Sequence, residues 1–379
     1  MAHNMMKGVV IGTASALALA AAGQASAVTM QAGDTELQVY GYASFKAAYD
    51  FNEDLGNAVY ANLGDVGDNS GNRDGYFHMS PKQSRLGFAT STETDNGTVK
   101  TRIEGDMLGG GYRQGSYRLR HAYGEWNGIL AGQTWSNYNT FVGVTPTIDF
   151  DNNVGTPGSQ FRNSQLRYTM GGFSVALEDA YNSTLSDSVV DQGGNTIAVK
   201  HSLPDLSAKY EGAAGDLKYS VAGIVQRTES VADGGANSDT YTGMAGFAAA
   251  SYALGATTTL NGAVNYSDGM GAYLVSAPGA YAKADGSYET VKVTGGTVGI
   301  EQKMGMGSLN LSYGLSKVSD SDKIPGQFQK DLQTAFLNYM WSPVTNVTFG
   351  VEYGYFRVKD VNDNSESANR ISFASQFNF

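Results

Sequence analysis

Ile371-Ser372-Phe373-Ala374-Ser375-Gln376-Phe377-Asn378-Phe379 alternates apolar and polar residues to its last position. Side chains of a strand point alternately to its two faces, so Ile371, Phe373, Phe377 and Phe379 share one face. The same split recurs at the front. Leu37, Val39, Ala43, Phe45, Ala47 and Tyr49 lie on one side, and Gln38, Ser44, Lys46 and Asp50 on the other. From Val99 onward, Val99, Ile103 and Met107 oppose Lys100, Arg102, Glu104 and Asp106. One apolar and one charged face per strand is the pattern of a wall between lipid and a wet lumen.

The turns give an independent count. Tight-turn residues stand between alternating runs at Asn96-Gly97, Asn127-Gly128, Gly171-Gly172, Gly215-Asp216, Leu254-Gly255, Gly305-Met306-Gly307 and Ser342-Pro343. Longer polar connections fall at 51–82, 108–114, 138–160, 183–203, 229–238, 268–287, 320–330 and 359–367. Seven short and eight long connections join sixteen strands. The expectation is an all-β chain: a 16-stranded antiparallel transmembrane barrel with short periplasmic turns and long extracellular loops. A barrel of that size holds an aqueous channel. Pro204 interrupts the pattern between Tyr181 and Gly212, and residues 28–36 read as a short disordered lead.

Composition agrees. The chain has 379 residues, a net charge of −11, 49 Gly, 23 Tyr and no Cys. No disulfide framework, thiolate metal site or cysteine nucleophile is possible. An acidic chain is a poor nucleic-acid binder. Lys7, the apolar run Gly8 to Ala22 and Ala25-Ser26-Ala27 read as a secretory signal cleaved after Ala27, which leaves 28–379 as one barrel domain. The apolar run is shorter than the roughly 20 residues of a membrane-spanning helix. The address is the outer membrane of a Gram-negative bacterium.

Arginine is unevenly placed. Eight of the 11 Arg (Arg73, Arg85, Arg102, Arg113, Arg118, Arg120, Arg162 and Arg167) lie between residues 73 and 167. With Lys82 and Lys100 they outnumber the eight acids of that window. A charge facing lipid at mid-depth costs about 2–4 kcal/mol, so these strand arginines are expected in the lumen. A guanidinium fork grips carboxylates or phosphates bidentately, and a ring of them attracts anions. The alternative is that they pair with Glu104, Asp106 and Glu125 and only brace the wall.

The loop 138–160 is long, partly apolar and carries Asp149 and Asp151. It is expected to fold into the barrel as a constriction and to set its acids opposite the arginines; a surface loop is the plainer reading. The stretches Asp65–Gly75 and Ser230–Asp239 are rich in Asp, Asn and Gly but lack EF-hand spacing, and read as solvated loops. Tyr40, Tyr42, Tyr49, Tyr168, Tyr339, Trp341, Tyr353, Tyr355 and Phe379 fall near strand ends, as membrane-interface girdles do. No HExxH or GxSxG motif occurs, and beyond the signal only His78, His121 and His201 remain. Alternation turns His121 away from Arg120, outward.

The stretch Arg118-Leu119-Arg120-His121-Ala122-Tyr123-Gly124-Glu125-Trp126, with Leu130-Ala131-Gly132-Gln133-Thr134-Trp135-Ser136-Asn137 after it, resembles the DcaP-like family of trimeric outer-membrane porins. Ile148-Asp149-Phe150, Arg162 and Gln165-Leu166-Arg167-Tyr168-Thr169 fit the same block, and Phe379 is similar to the general outer-membrane assembly signal. The resemblance spans about residues 80–180. It implies a 16-stranded trimer that passes small anions, dicarboxylic acids above all, with Arg118, Arg120, Arg162 and Arg167 as selectivity residues. Some family members carry a coiled-coil extension before the barrel; no heptads precede this one, and the second half matches only in barrel pattern.

The expectation is therefore a passive porin without enzymatic activity, cofactor or nucleotide. Its constriction would be lined by Arg85, Lys100, Arg102, Arg118, Arg120, Arg162 and Arg167 and faced by Asp149 and Asp151. Its partners would be lipid, lipopolysaccharide, small anionic solutes and two copies of itself. The rivals are a general or cation-preferring porin, since the whole chain is acidic, a plugged structural or adhesive barrel, and a barrel hydrolase using His121 or His201.

Overall fold

The alternating runs become strands because a closed ring satisfies every backbone N–H and C=O inside lipid. The computed structural model describes residues 27–67, 74–110, 115–158, 161–180, 189–230, 240–270, 277–285, 287–325 and 328–379. Residues 1–26, which hold nearly all of the expected signal, Arg73, Arg113 and most of the two Asp/Asn-rich stretches lie outside these residues.

The barrel strands are β1 (Thr35–Asp50), β2 (Arg85–Thr92), β3 (Val99–Gly109), β4 (Ser116–Trp126), β5 (Ile129–Trp135), β6 (Arg162–Met170), β7 (Phe173–Glu178) and β8 (Asp205–Ala214). They continue as β9 (Leu217–Ser230), β10 (Thr240–Leu254), β11 (Thr258–Asp268), β12 (Lys292–Met304), β13 (Gly307–Val318), β14 (Gln329–Val344), β15 (Val347–Asp360) and β16 (Ser365–Asn378). Each pairs antiparallel with the next, and β1 pairs with both β2 and β16, so the ring closes. Three short pieces, Val28–Ala32, Tyr76–Ser80 and Val199–Lys200, lengthen the sheet to 19 strands.

The outward face is the apolar one. Phe45, Tyr49, Phe88, Ile103, Leu166, Val264, Leu311, Tyr353, Ile371 and Phe377 are exposed, while Lys46, Glu104, Asn310, Glu352 and Arg370 are buried in the lumen. Polar residues inside and apolar ones outside invert a soluble core, as a water-filled barrel requires.

The turn map holds with two corrections, and two other expectations change. Ser342-Pro343 is not a turn: both residues sit in β14 at a register shift between Trp341 and Val344, and the turn is Thr345-Asn346. A bulge tolerates the absence of the N–H that proline lacks, and Asn346 takes the left-handed φ of 71° instead. The connection expected over 359–367 shrinks to 361–364, because Lys359 still pairs with Ser365 and the Asp360 carboxylate accepts from the Asn362 and Asn364 N–H groups. Residues 28–36 are not a disordered lead; Val28–Ala32 forms a hairpin with the start of β1. Tyr40 and Tyr42 leave the girdle and face the lumen, buried to 8 % and 3 % exposure. Asn127-Gly128 is a two-residue turn with both φ positive, 47° and 81°, the pairing that matches strand twist.

At the long-connection end, the connections fold over one another. Leu55, Ala61, Val66, Val190, Ala277, Tyr281 and Ile324 pack on Phe336, Phe356 and Val358 of the inner wall. Val189–Val190, Thr196–Ile197, Ala280–Ala282 and Tyr288–Thr290 make a small separate sheet there.

Candidate functional site

The inward faces of β1 to β4 carry a compact charge cluster. Glu104 and Asp106 on β3 are fully buried, and four arginines converge on them. Arg85 Nη1 stands 3.3 Å and Arg120 Nε 3.0 Å from Glu104 Oε1, and Arg102 Nη2 lies 2.6 Å from Oε2. Arg120 Nη1 reaches Asp106 Oδ2 at 2.9 Å, and Arg118 grips Asp106 bidentately at 3.0 and 2.8 Å. The Tyr40 hydroxyl donates to Glu104 at 3.0 Å and accepts from Arg102 Nε at 2.6 Å. Four cations share two carboxylates, so the cluster keeps an excess of positive charge. Arg85, stacked 5.1 Å over the Tyr42 ring, still holds Nε and Nη2 without a hydrogen-bond partner among the described residues.

A bulge makes this convergence possible. Glu104 pairs with His121 and Gly105 with Leu119, so Arg120 is the extra residue of β4. Bulges re-aim side chains. Arg118, Arg120 and His121 therefore all turn inward, and His121 is not outward as strict alternation implied. It is 5 % exposed, with Nδ1 2.9 Å from Thr134 Oγ1 and its ring against Trp135.

The next strands extend the positive surface. Trp135 ends β5, and Arg162, its cross-strand neighbour on β6, lies 4.3 Å over its ring. Arg120 stands 5.7 Å from the same ring and 5.7 Å from Phe150 of the loop. Arg167 donates Nε to Gln165 at 2.8 Å and Nη2 to the Trp135 carbonyl at 2.5 Å. Among the described residues no carboxylate lies within ion-pair distance of Arg162 or Arg167. Arg162 Nη1 is buried without a hydrogen-bond partner among the described residues.

Residues 136–158 run inside the barrel, pinned along the opposite wall. The Asn137 N–H donates to Glu178 on β7, Gly143 to Ser251 on β10 and Gly158 to Asn265 on β11. Asn153 and Val154 reach Thr334 on β14, and Ile148 and Asp149 donate their N–H groups to Glu352 on β15 at 2.7 and 2.8 Å. Lys46 on β1 donates to the carbonyls of Val59 and Ile148. The loop's hydrogen-bond anchors thus lie on the wall from β7 round to β1, and toward the arginines of β2 to β6 it presents Phe150, 5.7 Å from Arg120. The two acids part company. Asp149 is buried, accepts from the Ala61 and Asp151 N–H groups and is raised above the usual carboxylate range by burial. Asp151 is exposed and within electrostatic range of Arg118.

The structure gathers Arg85, Arg102, Arg118, Arg120 and Arg162 round Glu104, Asp106 and Trp135, with Arg167 at the edge. Lys100 stands apart: it is exposed near the short turns, opposite Glu125 in register. Lys46 and Glu352, which hold the loop, escaped the sequence reading; each is a charge on a strand's polar face, which was the available signal. Asp50, Asp54 and His78 bring three ligand-type atoms within 4.8 Å of one another. Arg370 already holds Asp50 bidentately at 2.5 and 2.9 Å, so this is an ion-pair network.

Comparison with known proteins follows the geometry. The model of a family described as DcaP outer membrane protein matches residues 10–379. The crystal structure of the outer membrane channel DcaP of Acinetobacter baumannii is 25 % identical, with a TM-score of 0.77 over 92 % of this chain and 99 % of that one. An anion-selective porin from Comamonas acidovorans shares the fold at 14 % identity and a TM-score of 0.57, covering 91 % and 100 %. OmpT of Vibrio cholerae in its trimer form does so at 11 % identity and 0.55, covering 91 % and 99 %. No curated protein matches the sequence.

Proposed function

Since this chain belongs to the DcaP outer membrane protein family, and is therefore an outer-membrane channel protein of a Gram-negative bacterium, we propose that it passes small hydrophilic anions by diffusion and favours dicarboxylates. The observation that carries this reading is the charge balance of the arginine wall. Four arginines share Glu104 and Asp106, and Arg162 and Arg167 have no carboxylate within ion-pair distance among the described residues. A solute anion crossing between this wall and the pinned loop exchanges water for guanidinium hydrogen bonds. Two separated cationic groups suit two carboxylates. Binding stays weak, since a tight site would halt flux.

The arginines of the two-carboxylate cluster serve both readings of the sequence. Arg120, 1 % exposed between Glu104 and Asp106, braces the wall. Arg118 and Arg102, about a third exposed, are the members of that cluster that solutes reach.

We also assign the chain a homotrimer. β5, β6 and β7 have 7, 9 and 6 residues, short of or at the margin of the roughly 9–11 a spanning strand needs. Their outward Ile129, Leu166, Tyr168 and Leu177 are exposed apolar groups. Packing this low wall against neighbours completes its height.

The test is reversal potential across a salt gradient in a planar bilayer, then succinate addition. Anion preference with succinate block, in conductance steps of three, supports the reading. Cation preference without block ends the anion claim and leaves a general porin. Absence of conductance from folded protein favours a plugged barrel.

A further inference from the structure

Beneath the pinned loop, at the short-turn end of the lumen, lies a cavity of about 420 Å³. Val142 forms its roof and Gly171-Gly172, the β6–β7 turn, part of its floor. Three cations reach it from separate strands: Arg167 on β6, Lys209 on β8 and Lys218 on β9. One acid, Glu211, shares the lining, and its carboxylate already accepts from Thr140 Oγ1 at 2.7 Å. Lys209 donates to the Asn139 carbonyl at 2.9 Å, which leaves two of its three ammonium hydrogens. Lys218 is exposed, and no acceptor or carboxylate partners it among the described residues.

The alternation of β8 and β9 is what assembles the site. Glu211 pairs with Ser220 and Ala213 with Lys218 in register. Lys209, Glu211 and Lys218 therefore share the inward face, while Tyr210 points to lipid. Arg167 belongs both to this cavity and to the edge of the arginine wall, since its Nη2 donates to the Trp135 carbonyl. The positive surface thus does not stop at the arginine cluster; it turns under the loop and runs toward the short turns.

We infer that this cavity is a second anion-binding site, on the periplasmic side of the constriction, which takes a solute carboxylate by way of Lys209, Lys218 and Arg167. The inference rests on the anion-channel reading above and deepens it. A cationic exit site lowers the barrier for an anion leaving the arginine wall, and raises the local anion concentration for entry from that side. Two weak sites in series sustain flux where one strong site would trap.

The experiment is succinate block of single channels, with succinate added to one side at a time, on the wild type and on Lys218→Gln and Lys209→Gln. The wild type should show block from both sides. In Lys218→Gln the rate of block from the short-turn side should fall about tenfold, with the rate from the other side unchanged. Lys218 holds no structural partner, so this variant folds even where Lys209→Gln does not. Unaltered block rates from both sides in Lys218→Gln and in folded Lys209→Gln overturn the second site and leave the arginine wall standing. Absence of succinate block in the wild type overturns both.

Discussion

Arg162 and Trp135 face each other across β5 and β6, guanidinium carbon 4.3 Å from the ring centre, and among the described residues no carboxylate comes within ion-pair distance of that guanidinium. The ring takes the place a counter-ion would hold. A cation stacked on an indole gains about 0.5–2 kcal/mol and keeps its full charge. The wall can therefore carry an arginine whose positive field is not cancelled.

Arg162→Gln should lower the anion-to-cation permeability ratio about threefold while costing the barrel under about 2 kcal/mol. Reversal potential and urea unfolding check the two halves. An unchanged ratio would show that Arg162 does not face the conducting path.

Arg120→Met should do the reverse. It removes the cation that lies within 3.0 Å of both Glu104 and Asp106, and breaking a buried pair costs about 3–5 kcal/mol. Loss of heat-modifiable folded protein at lower urea, with selectivity changed less than in Arg162→Gln, is the expected outcome.

Asp151 sets a pH dependence. Burial within the barrel and the neighbouring Asp149 charge push its carboxyl up to about 7, against Lys46 and Arg118. The window of interest therefore runs from the ordinary carboxylate range of about 4 up to that value. As pH rises through this window the carboxylate forms and offsets Arg118. Anion preference should fall from pH 4 to pH 7 at about those limits, and Asp151→Asn should flatten the profile. On stability the sign is the same: a raised carboxyl favours folding while protonated and loses that contribution as pH rises.

Glu352→Gln should loosen the loop. The carboxylate accepts from Ile148 and Asp149 N–H groups and from Asn338. Weakening these costs about 1–3 kcal/mol. The expected signature is larger, noisier conductance; steady wild-type current would mean that the remaining anchors suffice.

Leu166→Arg, on the low wall, should give monomers in native electrophoresis, because a charge enters the apolar contact between copies. The same change at Leu311, exposed on the tall β13, controls for the cost of a lipid-facing arginine. Equal effects at both sites would end the low-wall interface.

Much of this was legible in the sequence because period-two alternation survives wherever one face meets lipid. Ile371, Phe373, Phe377 and Phe379 point outward as their spacing implies. Alternation failed where the backbone carries an extra residue. The bulge at Arg120 turns His121 inward, and no residue type announces it. Pro343 misled for a related reason, since a bulge and a turn both admit proline. The arginine-rich window could be read as lumenal, yet which arginines keep their charge uncancelled depended on pairing across strands. Glu125 offered a partner by composition and makes no ion pair with an arginine among the described residues, while Tyr40 supplied an unforeseen one to Arg102 and Glu104.

The join between β1 and β16 has a consequence for assembly. Gly41 and Phe379 exchange both backbone hydrogen bonds, and Tyr42 pairs with Asn378. This seam links residues more than three hundred positions apart, so the ring stays an open sheet until its last strand docks. Before that moment two raw edges are free to zip onto each other or onto another chain's. Cover for the edges of Thr35–Asp50 and Ser365–Asn378 is therefore needed for as long as the two are apart.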